Sequence, residues 1–270
     1  LGIMLMRFFD LQKDEECCRI IMMLGKYDEF TLYSLTAADS RDDYNALVFQ
    51  LANETHGWGK IHAVRYLDVD TEEIRDWIIT SGCSNRVMDE YLGLVCANKG
   101  NLLSYLQRED LSEEFFCGAE IILSAMLNEG PVDGISAYEC AEPALTRYLF
   151  HAEKSNRLST FRVVWEIKEW LPESDILSKD AFIAQCDAIL NRPYWEKIML
   201  KSLDSDDRQV VWEGSLTAKR IGVDISARLF EIVQKDPMNY TEYISMVCQS
   251  SELAEQLFEL YEKVLPLNEI

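Results

Sequence analysis

Glycine and proline are scarce, at 12 and 6 in 270 residues. Sandwiches and barrels of short strands need turn residues every few positions, so this scarcity disfavours them and favours helices. Long apolar runs are missing too. The longest, Ile20-Ile21-Met22-Met23-Leu24, is far short of the roughly 18 residues of a membrane span. Leu1 to Phe9 is apolar but has no basic flank and no small-residue cleavage site, so it does not read as a signal peptide. The cysteines at 17, 18, 83, 96, 117, 140, 186 and 248 include no C-x-x-C pair. They read as buried thiols of a reducing, cytoplasmic compartment rather than a disulfide framework.

Basic residues are also in deficit. Lys and Arg number 26 against 47 Asp and Glu, a formal charge of −21. Such a field repels a phosphate backbone, so no nucleic-acid partner is expected; a basic partner would be attracted. Solvated acid that keeps the chain soluble is the plainer explanation of the same charge.

What is abundant is the helical period. Tyr44, Leu47, Val48, Leu51 and Ala52 follow one stripe, as do Val87, Tyr91, Leu94 and Val95, and Leu253, Leu257, Leu260, Tyr261 and Val264. The pattern predicts helices over 14–24, 28–37, 42–55, 59–67, 71–80, 86–98, 101–107, 112–128, 135–141, 143–154, 159–171, 179–190, 193–203, 207–220, 225–235, 240–249 and 251–264. Gly25, Gly82, Gly100, Gly130 and Gly222 fall where a left-handed cap suits glycine. Ser40, Thr71, Ser112 and Asn85 stand where N-caps are expected. Trp165, Trp170 and Trp212 read as core. Short helices joined by short turns form the pattern of an α-solenoid, taken as one domain over 1–270 with a weak seam near 128–136.

The stretch Ile61-His62-Ala63-Val64-Arg65-Tyr66-Leu67-Asp68, followed by Asp70-Thr71-Glu72-Glu73-Ile74, resembles a repeat of the HEAT/armadillo family, in which a Val-Arg pair precedes an apolar helix end and an acid-led second helix follows. An echo stands at Trp195-Glu196-Lys197-Ile198 against Trp58-Gly59-Lys60-Ile61, each leading to a Leu-Asp. The resemblance implies an all-α, α-α superhelix: a solenoid of short helical hairpins whose concave face binds a protein or peptide. HEAT-like folds also include DNA glycosylases with an Asp and aromatics in a basic groove, a reading that the net acid opposes. An acidic inhibitor of a basic protein is a third reading.

Catalytic signatures fail at named positions. Glu54 stands where a phosphate loop ending at Gly59-Lys60 needs glycine, and Glu73 where a calcium loop from Asp68 needs it. With three histidines and no ligand spacing, no metal or cofactor is expected. The segment singled out is Glu54-Thr55-His56-Gly57-Trp58-Gly59-Lys60-Ile61-His62, with Arg65 one turn on. His56, Trp58, Lys60, His62 and Arg65 form a candidate binding surface, because Trp, His and Arg can anchor interfaces. Equally, Trp58 can staple the start of a helix, with the glycines only making the turn.

Overall fold

A computed structural model describes residues 2–265, and all regular structure among them is helical. The helices are α1 (Gly2–Leu5), α2 (Glu15–Gly25), α3 (Asp28–Ala38), α4 (Tyr44–Glu54), α5 (Gly57–Tyr66), α6 (Glu72–Trp77), α7 (Glu90–Lys99), α8 (Leu102–Leu106) and α9 (Glu113–Leu127). They continue as α10 (Ala141–Ala152), α11 (Leu158–Trp170), α12 (Lys179–Leu190), α13 (Tyr194–Ser202), α14 (Arg208–Ile221), α15 (Ser226–Lys235), α16 (Ile244–Val247) and α17 (Ser251–Val264). Two compact units result: Leu1–Ser155 with Val163–Ile189, and Asn156–Arg162 with Leu190–Ile270. The turn-rich stretch 128–136 lies inside the first.

In the first unit, α2 and α3 pack tightly, and α5 packs on both α3 and α4. Hydroxyls on α3 serve the end of α2: Ser34 Oγ donates to the Ile21 carbonyl at 2.9 Å and Thr31 Oγ1 to that of Gly25 at 2.7 Å. The second bond satisfies a carbonyl that the helix C-terminus leaves open, and the first adds a cross-link one turn earlier. The guanidinium of Arg41, 7% exposed, donates to the Leu11 carbonyl at 2.6 Å and to both oxygens of Asp43. It thereby holds the small cluster of Leu11, Ile21 and Ala37 in place.

Past Trp77, α6 widens into a π-helical turn, Ile78–Gly82. The carbonyl of Ile79 in that turn presses on Gly118 of α9, where a Cβ would collide with it. α7 packs on α9, with Leu92, Gly93, Cys96 and Ala97 buried. In the second unit α13 packs on α14, and α15 on α16 and α17. Trp195 of α13 fills its core at 1% exposure, edge-on to Phe161 with ring centroids 5.3 Å apart.

Several local expectations are corrected. Of the five glycines expected as left-handed caps, only Gly222 adopts positive φ, at 75°. Gly100 is right-handed, and Asn101 takes the left-handed turn instead, at φ 53°. Thr71 and Ser112 do cap, accepting from Ile74 and Phe115 amides, but Ser40 does not: α4 begins later, because Arg41 is drawn into the core. Asn85 caps no helix, since α7 starts only at Glu90. The helix expected over 135–141 is a single 3-10 turn, Ile135–Ala137. Trp165, Trp170 and Trp212 are only half-buried.

Candidate functional site

The Gly57-Trp58-Gly59 segment is the first turn of α5, and its glycines answer to close packing. Gly57 has φ +52°, and a Cβ there would collide with the Asp28 carboxylate. A Cβ on Gly59 would lie 2.6 Å from Thr31 Oγ1 and 2.9 Å from Asp28 Oδ1. The carboxylate of Asp28, at the start of α3, thus closes on the open end of α5, beside the Trp58 and Gly59 amides. Burial raises the Asp28 pKa above its ordinary value; those amides and His56 oppose the shift.

A loop seats the same end of α5 from the other side. Asn85, 0% exposed, accepts the Gly57 amide on its carbonyl at 2.7 Å. Its side-chain oxygen accepts from the Val87 and Met88 amides, both at 2.9 Å, and its amide nitrogen donates to the Met88 carbonyl at 2.9 Å. One asparagine therefore replaces the hydrogen bonding that a helix would have given residues 85–88.

Between these supports Trp58 is 46% exposed. Its ring meets Tyr91 of α7 edge-on, centroids 4.9 Å apart at 62°, and lies 6.5 Å from the His62 ring. His62 is half-buried, and desolvation, then the nearby Arg65, lowers its pKa. His56 and Arg65 are exposed. Of the five predicted residues, Trp58, His62 and Arg65 follow the outer side of α5, and His56 stands at its N-cap.

Lys60 is placed differently. It is 8% exposed, and its Nζ donates to the carbonyls of Ser81 at 2.7 Å and Ser84 at 2.8 Å. It also sits 5.4 Å from the centre of the Trp77 ring. Desolvation lowers its pKa. Its amine closes the π-helical turn from within and is not presented to solvent.

The echo at Trp195 is one of letters and register only. Trp58 and Trp195 are each the second residue of their helix, yet one is exposed and the other buried, and Lys197 is exposed where Lys60 is not.

Next to Tyr91 an open groove of about 380 Å³ runs along α7, floored by Tyr91, Leu94 and Val95 and walled by Pro131 and Val132. Arg65, Glu90 and Asp133 supply its charges. Of the stripe Val87, Tyr91, Leu94, Val95, the last three thus form the outer face of α7, and Val87 is exposed in the loop before it. The helix is apolar on both sides, and periodicity alone does not say which side is buried.

Among the described residues no cluster of three or more His, Cys, Asp and Glu has the geometry to hold a metal ion. None of their helices is long and apolar enough to cross a membrane, and all eight cysteines are thiols. Comparison of the chain with protein-family models, with curated proteins and with solved structures finds no match.

Proposed function

We propose that this chain is a non-catalytic, cytoplasmic interaction module of the helical-repeat kind, a HEAT/armadillo-like stack of hairpins. On this reading it binds a protein or peptide through the surface of Trp58, Tyr91, His62 and Arg65 and the groove beside them. The observation that carries the reading is the half-exposed Trp58 ring, held by a clamped helix start below and by Tyr91 at its side. A large aromatic fixed in one orientation loses little entropy on binding, which is what an interface anchor requires. Lys60 and Asp28 act as supports that keep the anchor in place, and His56 lines the rim.

The first unit carries 15 Lys and Arg against 33 Asp and Glu, a net −18, so the partner segment is basic with an apolar residue for the groove. The test is affinity capture followed by titration of the captured partner. Trp58→Ala should weaken binding at least roughly 30-fold with helix content unchanged, as loss of an aromatic anchor does. Wild-type affinity in that variant would refute the surface, and affinity indifferent to salt would refute the basic partner.

A further inference from the structure

The acid is concentrated in the first unit; the second has 11 Lys and Arg against 14 Asp and Glu, a net of only −3. There, three cations converge on one pocket of about 180 Å³, which the carboxylates Asp204 and Asp206 also line. Arg208 opens α14, while Arg228 and Lys235 lie seven residues apart on α15, two turns along one side. Ser205 and Tyr240 also line the pocket, and their hydroxyls can donate. The Arg208 guanidinium lies over the Tyr240 ring, 5.2 Å from its centre.

The arginines are occupied at present by the chain's own carboxylates. Arg208 pairs with Glu242 at 2.7 Å, and Arg228 pairs with Asp204 and Glu231. Both pairs of Arg228 are solvent-exposed, so each contributes little and is readily exchanged, whereas Arg208 is exposed but its partner Glu242 is half-buried. Lys235 is exposed and lines the same pocket.

We propose that this pocket is a binding site for a phosphoryl group, with Arg208, Arg228 and Lys235 as its cations and Ser205 and Tyr240 as neutral donors. A phosphoryl dianion presents three acceptor oxygens at once, so it can meet all three cations where each internal carboxylate meets one. Asp204 then acts as a built-in competitor that a ligand displaces from Arg228. The pocket shares Asp204 and Ser205 with an adjoining groove of about 620 Å³ that holds Leu158, Ile198 and Val210. A phosphorylated side chain with an apolar neighbour would fill both spaces; free phosphate would fill one.

The experiment is calorimetric titration of the full chain at low salt. The ligands are inorganic phosphate, a short phosphoserine peptide with an adjacent leucine, and the same peptide unphosphorylated, with chloride as the ionic control. Saturable binding of phosphate or phosphopeptide is expected. It should weaken about tenfold in Arg228→Gln and in Lys235→Gln, tighten severalfold in Asp204→Asn, and stay unchanged in Lys197→Gln, which lies outside the pocket. Amide shifts confined to 204–208 and 228–240 would place the ligand independently of affinity. A phosphopeptide at least about tenfold tighter than phosphate assigns the ligand as a peptide side chain; equal affinities assign it as the free anion. The proposal fails if neither phosphate ligand binds beyond chloride. It also fails if Lys197→Gln costs as much as Lys235→Gln, since charge alone would then explain the binding.

Discussion

The carbonyl of Asn85 accepts the amide of Gly57 at 2.7 Å, and through that bond a loop with no regular structure holds the first turn of α5. Because the same asparagine also binds Val87 and Met88, one side chain organises both the loop and its contact with the Trp58 segment. Asn85→Ala should cost about 2 kcal/mol, since the part-buried Val87 and Met88 amides and the Cys83 and Met88 carbonyls lose a partner together. Urea denaturation measures the loss. The Trp58 fluorescence spectrum should shift to the red as its footing loosens, and a variant of wild-type stability would remove the loop from this role.

A second expectation concerns Gly118. Alanine in a helix normally gains about 1 kcal/mol over glycine. Here the new methyl meets the backbone carbonyl of Ile79, which cannot rotate away as a side chain would. Gly118→Ala should therefore destabilise by about 1–3 kcal/mol despite its better propensity. Gly130→Ala, with nothing within 4 Å of the added carbon, is the control and should be near neutral in the same thermal melts.

Arg41 provides a third. Its guanidinium serves the Leu11 carbonyl, Asp43 and Glu15 from a nearly buried position. Arg41→Leu leaves the Leu11 carbonyl and the Asp43 carboxylate without their donor, at a cost of about 2 kcal/mol. Limited proteolysis should then cut first among residues 2–14, which that guanidinium ties to the core. Unchanged cleavage kinetics would show that the tie is dispensable.

Alkaline pH gives a fourth. Burial, the leading cause in each case, raises the phenols of Tyr44, Tyr105, Tyr138 and Tyr243 from 10.0 to about 12. Between those values the unfolded chain has lost protons that the folded chain retains, so stability falls as pH rises through that window. Below pH 10 these four groups add no pH dependence. Absorbance titration near 295 nm, a phenolate band, should show a delayed phase that merges with the exposed tyrosines in denaturant. A single phase in the native protein would contradict it.

The helices were legible in the sequence chiefly because the apolar period recurs along most of the chain, while the capping residues marked only some of the ends. Apolar residues at three- and four-residue spacing mark the helix bodies, and Thr71 and Ser112 mark two of their beginnings. What stayed hidden is which of two apolar faces turns inward. α7 carries Leu92, Gly93, Cys96 and Ala97 on one side and Tyr91, Leu94 and Val95 on the other, and only packing against α9 decides. The same limit applies to Lys60. A lysine between two glycines and a histidine resembles a surface cation, and the Ser81 and Ser84 carbonyls that draw it inward are more than twenty residues away. Trp58 and Trp195 make the point in reverse: like letters at like positions end in opposite environments, because neighbouring helices set the burial.

Buried Lys60 has a consequence for chemical labelling. Acylating reagents need a free, neutral amine, and here the amine is enclosed by two carbonyls and an indole. In the folded chain it should resist acetylation while Lys197 and Lys235 react. When the π-helical turn opens, desolvation no longer acts and the amine becomes reachable. The rate at which Lys60 acquires label under native conditions then reports how often that joint comes apart.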